Sequence, residues 1–114
     1  MAKPLIFILN GPNLNMLGTR EPELYGSQTL ADVEALCEEE ARRLGVEVDC
    51  RQTNHEGLLV DWIHESHDKA MGVVINAGAY ARTSLAIHSA VNSVSTPVIE
   101  VHITNFYNKE SYRP

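Results

Sequence analysis

His102 stands between Val101 and Ile103 near the end of an apolar run, residues 98–103 (VIEVHI), and alternation puts it on one face with Glu100 and Thr104. An imidazole on a polar face can act as a general acid or base near neutral pH, whereas a histidine in an apolar strand is equally read as a hydrogen-bonded core residue. Both readings stand on residue type alone. A polar loop, residues 18–26 (GTREPELYG), carries Arg20 and Tyr25 between two glycines. A tyrosine, with an ordinary pKa of about 10, becomes a base only where a cation favours its phenolate, and a close arginine does that. Such a loop beside a pocket is a lid, and elsewhere it is an ordinary surface connection.

The remaining polar residues fall where apolar runs stop. Asn10, Asn13, Asn15 and Arg20 follow the first run; Asn54, His55 and Glu56 the second; Asn76 and Gly78 the third; His102, Thr104 and Asn105 close the fourth. Any one Asn or Gly is accounted for by turn making. Four such clusters at one edge are harder to explain that way, because open α/β sheets bind ligands outside the carboxyl ends of their strands. Asp61, His64 and His67 could be drawn as ligands on a helix turn, but no complete metal set is evident. No GxGxxG and no GxxxxGK[ST] run occurs, so neither a metal nor a nucleotide cofactor is expected.

The elements that position these residues follow from periodicity. Residues 5–9 (LIFIL) are continuously apolar, the pattern of a strand buried on both faces and central in a parallel sheet. Thr29 and Asp32 form a capping-box pattern, and Leu30, Val33, Leu36, Cys37, Ala41 and Leu44 follow at helical spacing up to Gly45. Residues 46–52 alternate as a half-buried strand nearer the edge. A second helix carries Leu58, Leu59, Trp62 and Ile63 on one stripe, and residues 71–75 (MGVVI) form another buried strand. Thr83 or Ser84 caps a third helix with Leu85, Ile87, His88 and Val91, and Pro97 opens the last strand. Four strands alternating with three helices predict a doubly wound parallel sheet with helices on both faces, a three-layer α/β/α arrangement.

A chain of 114 residues, 44% hydrophobic, suits one domain over 1–114 with a modest core. Its net charge of -6 argues against a nucleic-acid partner, which requires a dense basic surface, and an anionic small molecule needs a local basic site instead. Cys37 and Cys50 read as reduced core residues. The amino end carries one lysine and runs into an apolar segment too short for a signal peptide or membrane span, so no membrane partner is expected and the cytoplasm is the expected location. The chain stops at Pro114 in a polar segment where a doubly wound domain would continue; either it is truncated or the missing element comes from elsewhere.

Residues 10–18 (NGPNLNMLG), then Arg20, Glu21, Pro22, Tyr25 and Gly26, with 54–57 (NHEG), 75–80 (INAGAY), Thr83, Ser84 and 100–105 (EVHITN), resemble the type II 3-dehydroquinate dehydratases along essentially the whole chain. The resemblance implies a flavodoxin-like fold whose last strand and helix are absent here, and a trimer-based homododecamer. It implies loss of water from 3-dehydroquinate, giving 3-dehydroshikimate by anti elimination through an enolate, without metal or organic cofactor, in the shikimate pathway or quinate breakdown. Tyr25 matches the base, Arg20 the arginine favouring its phenolate, and His102 the general acid. Asn13 and Asn76 match residues holding the catalytic water and substrate, Ile103 and Thr104 the backbone site for the carboxylate, and Arg113 an arginine on a substrate hydroxyl. Gly78, Arg82, Ser89 and Glu100 complete the substrate-facing set.

Departures from the family pattern gather around the substrate: Arg82 stands where a histidine is usual, Ser89 where an aspartate reaches a neighbouring subunit's site, Lys109 for an arginine, and Ala77 for a proline. Lysine for arginine loses a planar bidentate donor, and arginine for histidine adds permanent charge. Two further readings follow, a paralogue dehydrating an amino analogue of dehydroquinate and a non-catalytic binding or assembly homologue.

Overall fold

The computed structural model describes residues 2–19 and 27–102. Its strands are β1 (Leu5–Asn10), β2 (Glu47–Gln52), β3 (Gly72–Asn76) and β4 (Val98–Glu100), all parallel, in the order β2-β1-β3-β4. The helices are α1 (Leu30–Leu44), α2 (Glu56–Lys69), a single turn α3 (Tyr80–Thr83) and α4 (Leu85–Ser93), with a 3-10 turn at Leu14–Met16. The fully apolar run is central and the alternating run is at the edge, as their patterns require. This is the flavodoxin-like strand order, in which the chain turns outward in opposite directions from β1 and β3.

Register shows how the layers form. Phe7 pairs with Asp49 and Val73, Leu9 with Arg51 and Ile75, and Val73 and Ile75 with Val98 and Glu100, so these residues share one face. Against it pack Leu59 and Ile63 of α2 and Ile87 and Ala90 of α4, in one core cluster with Phe7 and Leu9 fully buried. Burying one large apolar side chain is worth ~1.5–3 kcal/mol, which makes this face the main source of stability. Helix α1 covers β2 from the opposite face, where Cys50 lies among Cys37, Glu34 and Glu38. Burial first, and those neighbours second, push the Cys50 thiol up to about 12. Both cysteines are free.

Helix α1 begins as its sequence pattern requires: Thr29 Oγ1 accepts from the Asp32 N–H at 3.2 Å, and Asp32 Oδ2 accepts from the Thr29 N–H at 2.9 Å. Gly45, at φ 76, ends it. Ser84 rather than Thr83 caps α4, accepting from the Ile87 N–H at 2.9 Å.

Four details differ from the sequence-based reading. Leu36 and Leu44 lie on the α1 stripe but are 56% and 59% exposed; among the described residues the helix packs mainly on the edge strand β2. Leu85, at the first position of α4, is 85% exposed, and Leu58 also faces outward. The strand expected over 98–103 ends at Glu100, although the Val101 N–H still donates to the Ile75 carbonyl at 2.9 Å. The turn α3, built from residues without apolar periodicity, was not foreseen.

Candidate active site

The carboxyl ends of β1 and β3 are neighbours, with Asn10 paired to Asn76, and the loops leaving them pass unusually close. The Gly11 N–H donates to the Asn76 carbonyl at 2.8 Å, and a Cβ at Gly11 would stand 2.7 Å from the Ala77 carbonyl oxygen. Gly78, at φ 61, lies against Pro12, whose carbonyl oxygen would be 3.2 Å from a Cβ there. Only glycine meets both demands.

Asn13 follows in the left-handed region at φ 70, the only non-glycine residue with positive φ among the described residues. Asparagine tolerates that conformation. Its N–H donates to Asn54 Oδ1 at 3.0 Å. Gln52 Nε2, at the end of β2, lies within donating distance of Asn54 Oδ1 (3.2 Å), the Gly11 carbonyl (3.1 Å) and Asn15 Oδ1 (3.4 Å). The Tyr80 hydroxyl donates to the Asn54 carbonyl at 3.3 Å, and the Thr53 N–H donates to the Asn10 carbonyl at 2.9 Å. The loop after β2 is thereby tied to the loops after β1 and β3.

Asn76 is 3% exposed; its Oδ1 accepts from the Gly78 N–H at 3.1 Å, while its Nδ2 has no hydrogen-bond partner among the described residues. Asn10, beside it and 4% exposed, likewise has an unpartnered Nδ2. Two buried amide donors side by side at a strand end suit an acceptor oxygen, since an unmade buried hydrogen bond is costly.

On the other side of β3, Glu100 ends β4 and its Oε1 lies 3.4 Å from His102 Nε2, both side chains partly exposed. The histidine therefore meets a carboxylate at the sheet's end and is not enclosed in the core. A cleft of about 220 Å³ runs between α4 and the β3–β4 pair, floored by Ile75, Ile87 and Val98 and rimmed by His88 and Glu100.

Asn13, Asn76, Gly78, Glu100 and His102 are thus gathered at the carboxyl ends of three adjacent strands. Arg82 is exposed on α3, directly after this group. Ser89 is exposed on α4, and its carbonyl accepts from Ser93 Oγ at 2.7 Å, away from the strand ends. Arg20, Tyr25, Ile103, Thr104, Lys109 and Arg113 lie outside the described residues, as does most of the loop 18–26. Among the described residues no group of three or more His, Cys, Asp or Glu is placed to hold a metal ion. His67 Nδ1 instead accepts from the Ser95 N–H at 3.2 Å.

Sequence reasoning placed Asn54 near the site but overlooked Gln52, which reads as the polar end of an edge strand. The only available signal was its two-residue spacing from Asn54 opposite an Asn-rich first loop. It also missed the pairing of Glu56 Oε2 with the Ser84 hydroxyl, which joins the starts of α2 and α4.

Residues 4–114 match the family model described as Dehydroquinase class II. A 3-dehydroquinate dehydratase of Rhizobium meliloti is 56% identical over 108 residues, spanning 95% of this chain and 73% of that protein. A 3-dehydroquinate dehydratase 1 of Bradyrhizobium diazoefficiens is 58% identical over 117 residues, spanning 99% and 76%. The crystal structure of a type II dehydroquinase from Butyrivibrio crossotus superposes with a TM-score of 0.86 at 41% identity, over 96% of this chain and 77% of that one. With the parallel sheet and its polar strand ends matched along nearly its whole length, the chain belongs to the class II dehydroquinase family.

Proposed function

We propose that the chain removes water from 3-dehydroquinate to give 3-dehydroshikimate, by anti elimination through an enolate. The observation that carries this reading is the gathering of Asn13, Asn76, Gly78, Glu100 and His102 at one end of three adjacent strands, in a chain 56% identical to a relative named 3-dehydroquinate dehydratase.

Tyr25, as phenolate beside Arg20, takes the proton next to the ketone. Electron density moves into the enolate, and the hydroxyl leaves with a proton from His102, whose Nε2 lies 3.4 Å from the Glu100 carboxylate. The proton to be removed is weakly acidic, so the base must be strong and positioned, and donors must stand where negative charge develops. Asn13 and Asn76 supply amides at that place. The unpartnered Nδ2 of Asn76 is a donor with its desolvation already incurred. The substrate carboxylate is held by the backbone at Ile103 and Thr104, Arg113 binds a substrate hydroxyl, and Arg82 adds local positive charge to a chain of net charge -6. The reading extends to a trimer-based dodecamer in the cytoplasm, serving the shikimate pathway or quinate breakdown. Among the described residues, no helix is long and apolar enough to cross a membrane.

The test is ultraviolet absorbance of the protein mixed with 3-dehydroquinate, because the product's conjugated enone absorbs where the substrate does not. Absorbance should rise with wild type, and the rate should fall ~10²–10⁴-fold in Tyr25→Phe and in His102→Ala, the usual worth of a positioned acid or base. A folded wild type giving no rise would overturn the reading. Arg82, exposed on α3, and Ser89, exposed on α4, favour a second one: dehydration of an amino analogue. Faster turnover of 3-dehydroquinate than of the analogue rejects it.

A further inference from the structure

We propose that Gln52 and Asn54 are positioning residues of this site, acting on the reaction through Asn13; the proposal rests on the dehydratase reading. Strand β2 lies at the sheet edge, outside the three strands that bear the candidate catalytic groups, so anything it contributes must be transmitted. The transmission is visible as a chain of amides. Asn54 Oδ1 accepts from the Asn13 N–H at 3.0 Å and faces Gln52 Nε2 at 3.2 Å. Because that oxygen must accept from a backbone N–H, the orientation of the Asn54 amide is fixed. Gln52 Nε2 has two hydrogens and three acceptors within reach, Asn54 Oδ1, Asn15 Oδ1 and the Gly11 carbonyl, so it spans both ends of the segment that contains Asn13.

The need for such a brace follows from the backbone. Asn13 sits at φ 70, in the left-handed region, which asparagine tolerates at a small cost, so contacts that hold the segment favour it over the ordinary right-handed form. The 3-10 turn that follows is short, and no side-chain cap holds its start. The Asn13 N–H would otherwise be an orphan donor at the turn's beginning, and Asn54 satisfies it from outside. Tyr80, donating to the Asn54 carbonyl at 3.3 Å, ties the same brace to the loop that carries Asn76 and Gly78. A displacement near 1 Å of a group that positions reactants costs ~100-fold in rate, so loosening the brace should act on turnover.

Three variants test this: Gln52→Leu and Asn54→Leu remove the brace, and Asn54→Asp keeps an acceptor facing Asn13. In both leucine variants kcat for 3-dehydroquinate should fall ~10–100-fold with KM changed less than about threefold. The Asn13 backbone amide should exchange with solvent at least ~10-fold faster while the amides of Phe7 and Val73 keep their protection. Asn54→Asp should retain the slow exchange at Asn13. Unchanged exchange at Asn13 in Gln52→Leu overturns the proposal. So does faster exchange spread evenly over β1 and β3, which is what a residue that merely stabilises the fold would give. If wild type leaves 3-dehydroquinate untouched, the dehydratase reading fails by itself, and exchange at Asn13 still decides whether Gln52 and Asn54 hold that residue.

Discussion

The guanidinium of Arg51 lies 4.5 Å from the centroid of the Phe7 ring and 5.5 Å from that of Trp62, and it pairs with Glu65 at 2.8 Å and with Asp49 at 2.8 Å. It closes the open edge of the main core, with its planar face on aromatic rings and its fork on carboxylates, a role lysine could not fill. Its hydrogen bond holds the Glu65 carboxyl down to about 2, well below the ordinary carboxylate range. Because the folded value lies below the unfolded one, the stability this pair contributes is complete above about pH 4.3 and is lost as pH falls through about 2. Glu65→Gln should be less stable than wild type by about 1 kcal/mol or less at pH 7, since the pair is partly exposed. The gap in urea midpoint between the two proteins should close as pH is lowered from 5 towards 2; a gap independent of pH would mean that the carboxylate charge is not what matters.

At the scale of elements, the helices are fastened at their amino ends. Ser84 both caps α4, accepting from the Ile87 N–H, and donates its hydroxyl to Glu56 in the first turn of α2. One buried hydroxyl therefore ties together the two helices that form the lid of the core face, and the Glu56 carboxylate sits favourably at a helix amino end. Ser84→Ala should cost about 2 kcal/mol, about one for the cap and the rest for the carboxylate's lost donor. Thermal denaturation followed by circular dichroism measures this, and a loss below half that figure would show that Glu56 finds another donor. The capping box of α1 and the four strands were legible in the sequence because each is a local pattern: Thr29 and Asp32 three apart, LIFIL apolar throughout, 46–52 alternating. The exposure of Leu36, Leu44 and Leu85 was not legible, since periodicity says which residues share a stripe and not how much sheet lies under it. The Gln52 brace was equally hidden, because it exists only once β2 is aligned with β1 so that Gln52 stands opposite Asn10.

At the scale of the whole molecule, strand order makes the site. Because β1 lies between β2 and β3, the loops from all three strands converge, and the Glu100 carboxylate ending β4, with the His102 imidazole just past it, lies one strand further on. The polar clusters that end each apolar run could be read in advance as a shared edge, whereas the unpartnered Asn10 and Asn76 amides required the register. Convergence also demands close contact, and Gly11→Ala should push a methyl group against the Ala77 carbonyl, costing ~1–3 kcal/mol and lowering dehydration at least ~10-fold. Melting temperature and the enone assay read both effects; a fully active, equally stable variant would mean that the loops yield freely.

The contact of Gly11 with Ala77 and of Gly78 with Pro12 has a consequence for how such a protein can change. Two loops far apart in sequence fit like the halves of a clasp, so neither can gain or lose a residue alone. A first loop borrowed from a relative should work here only if its own third-strand loop is brought with it.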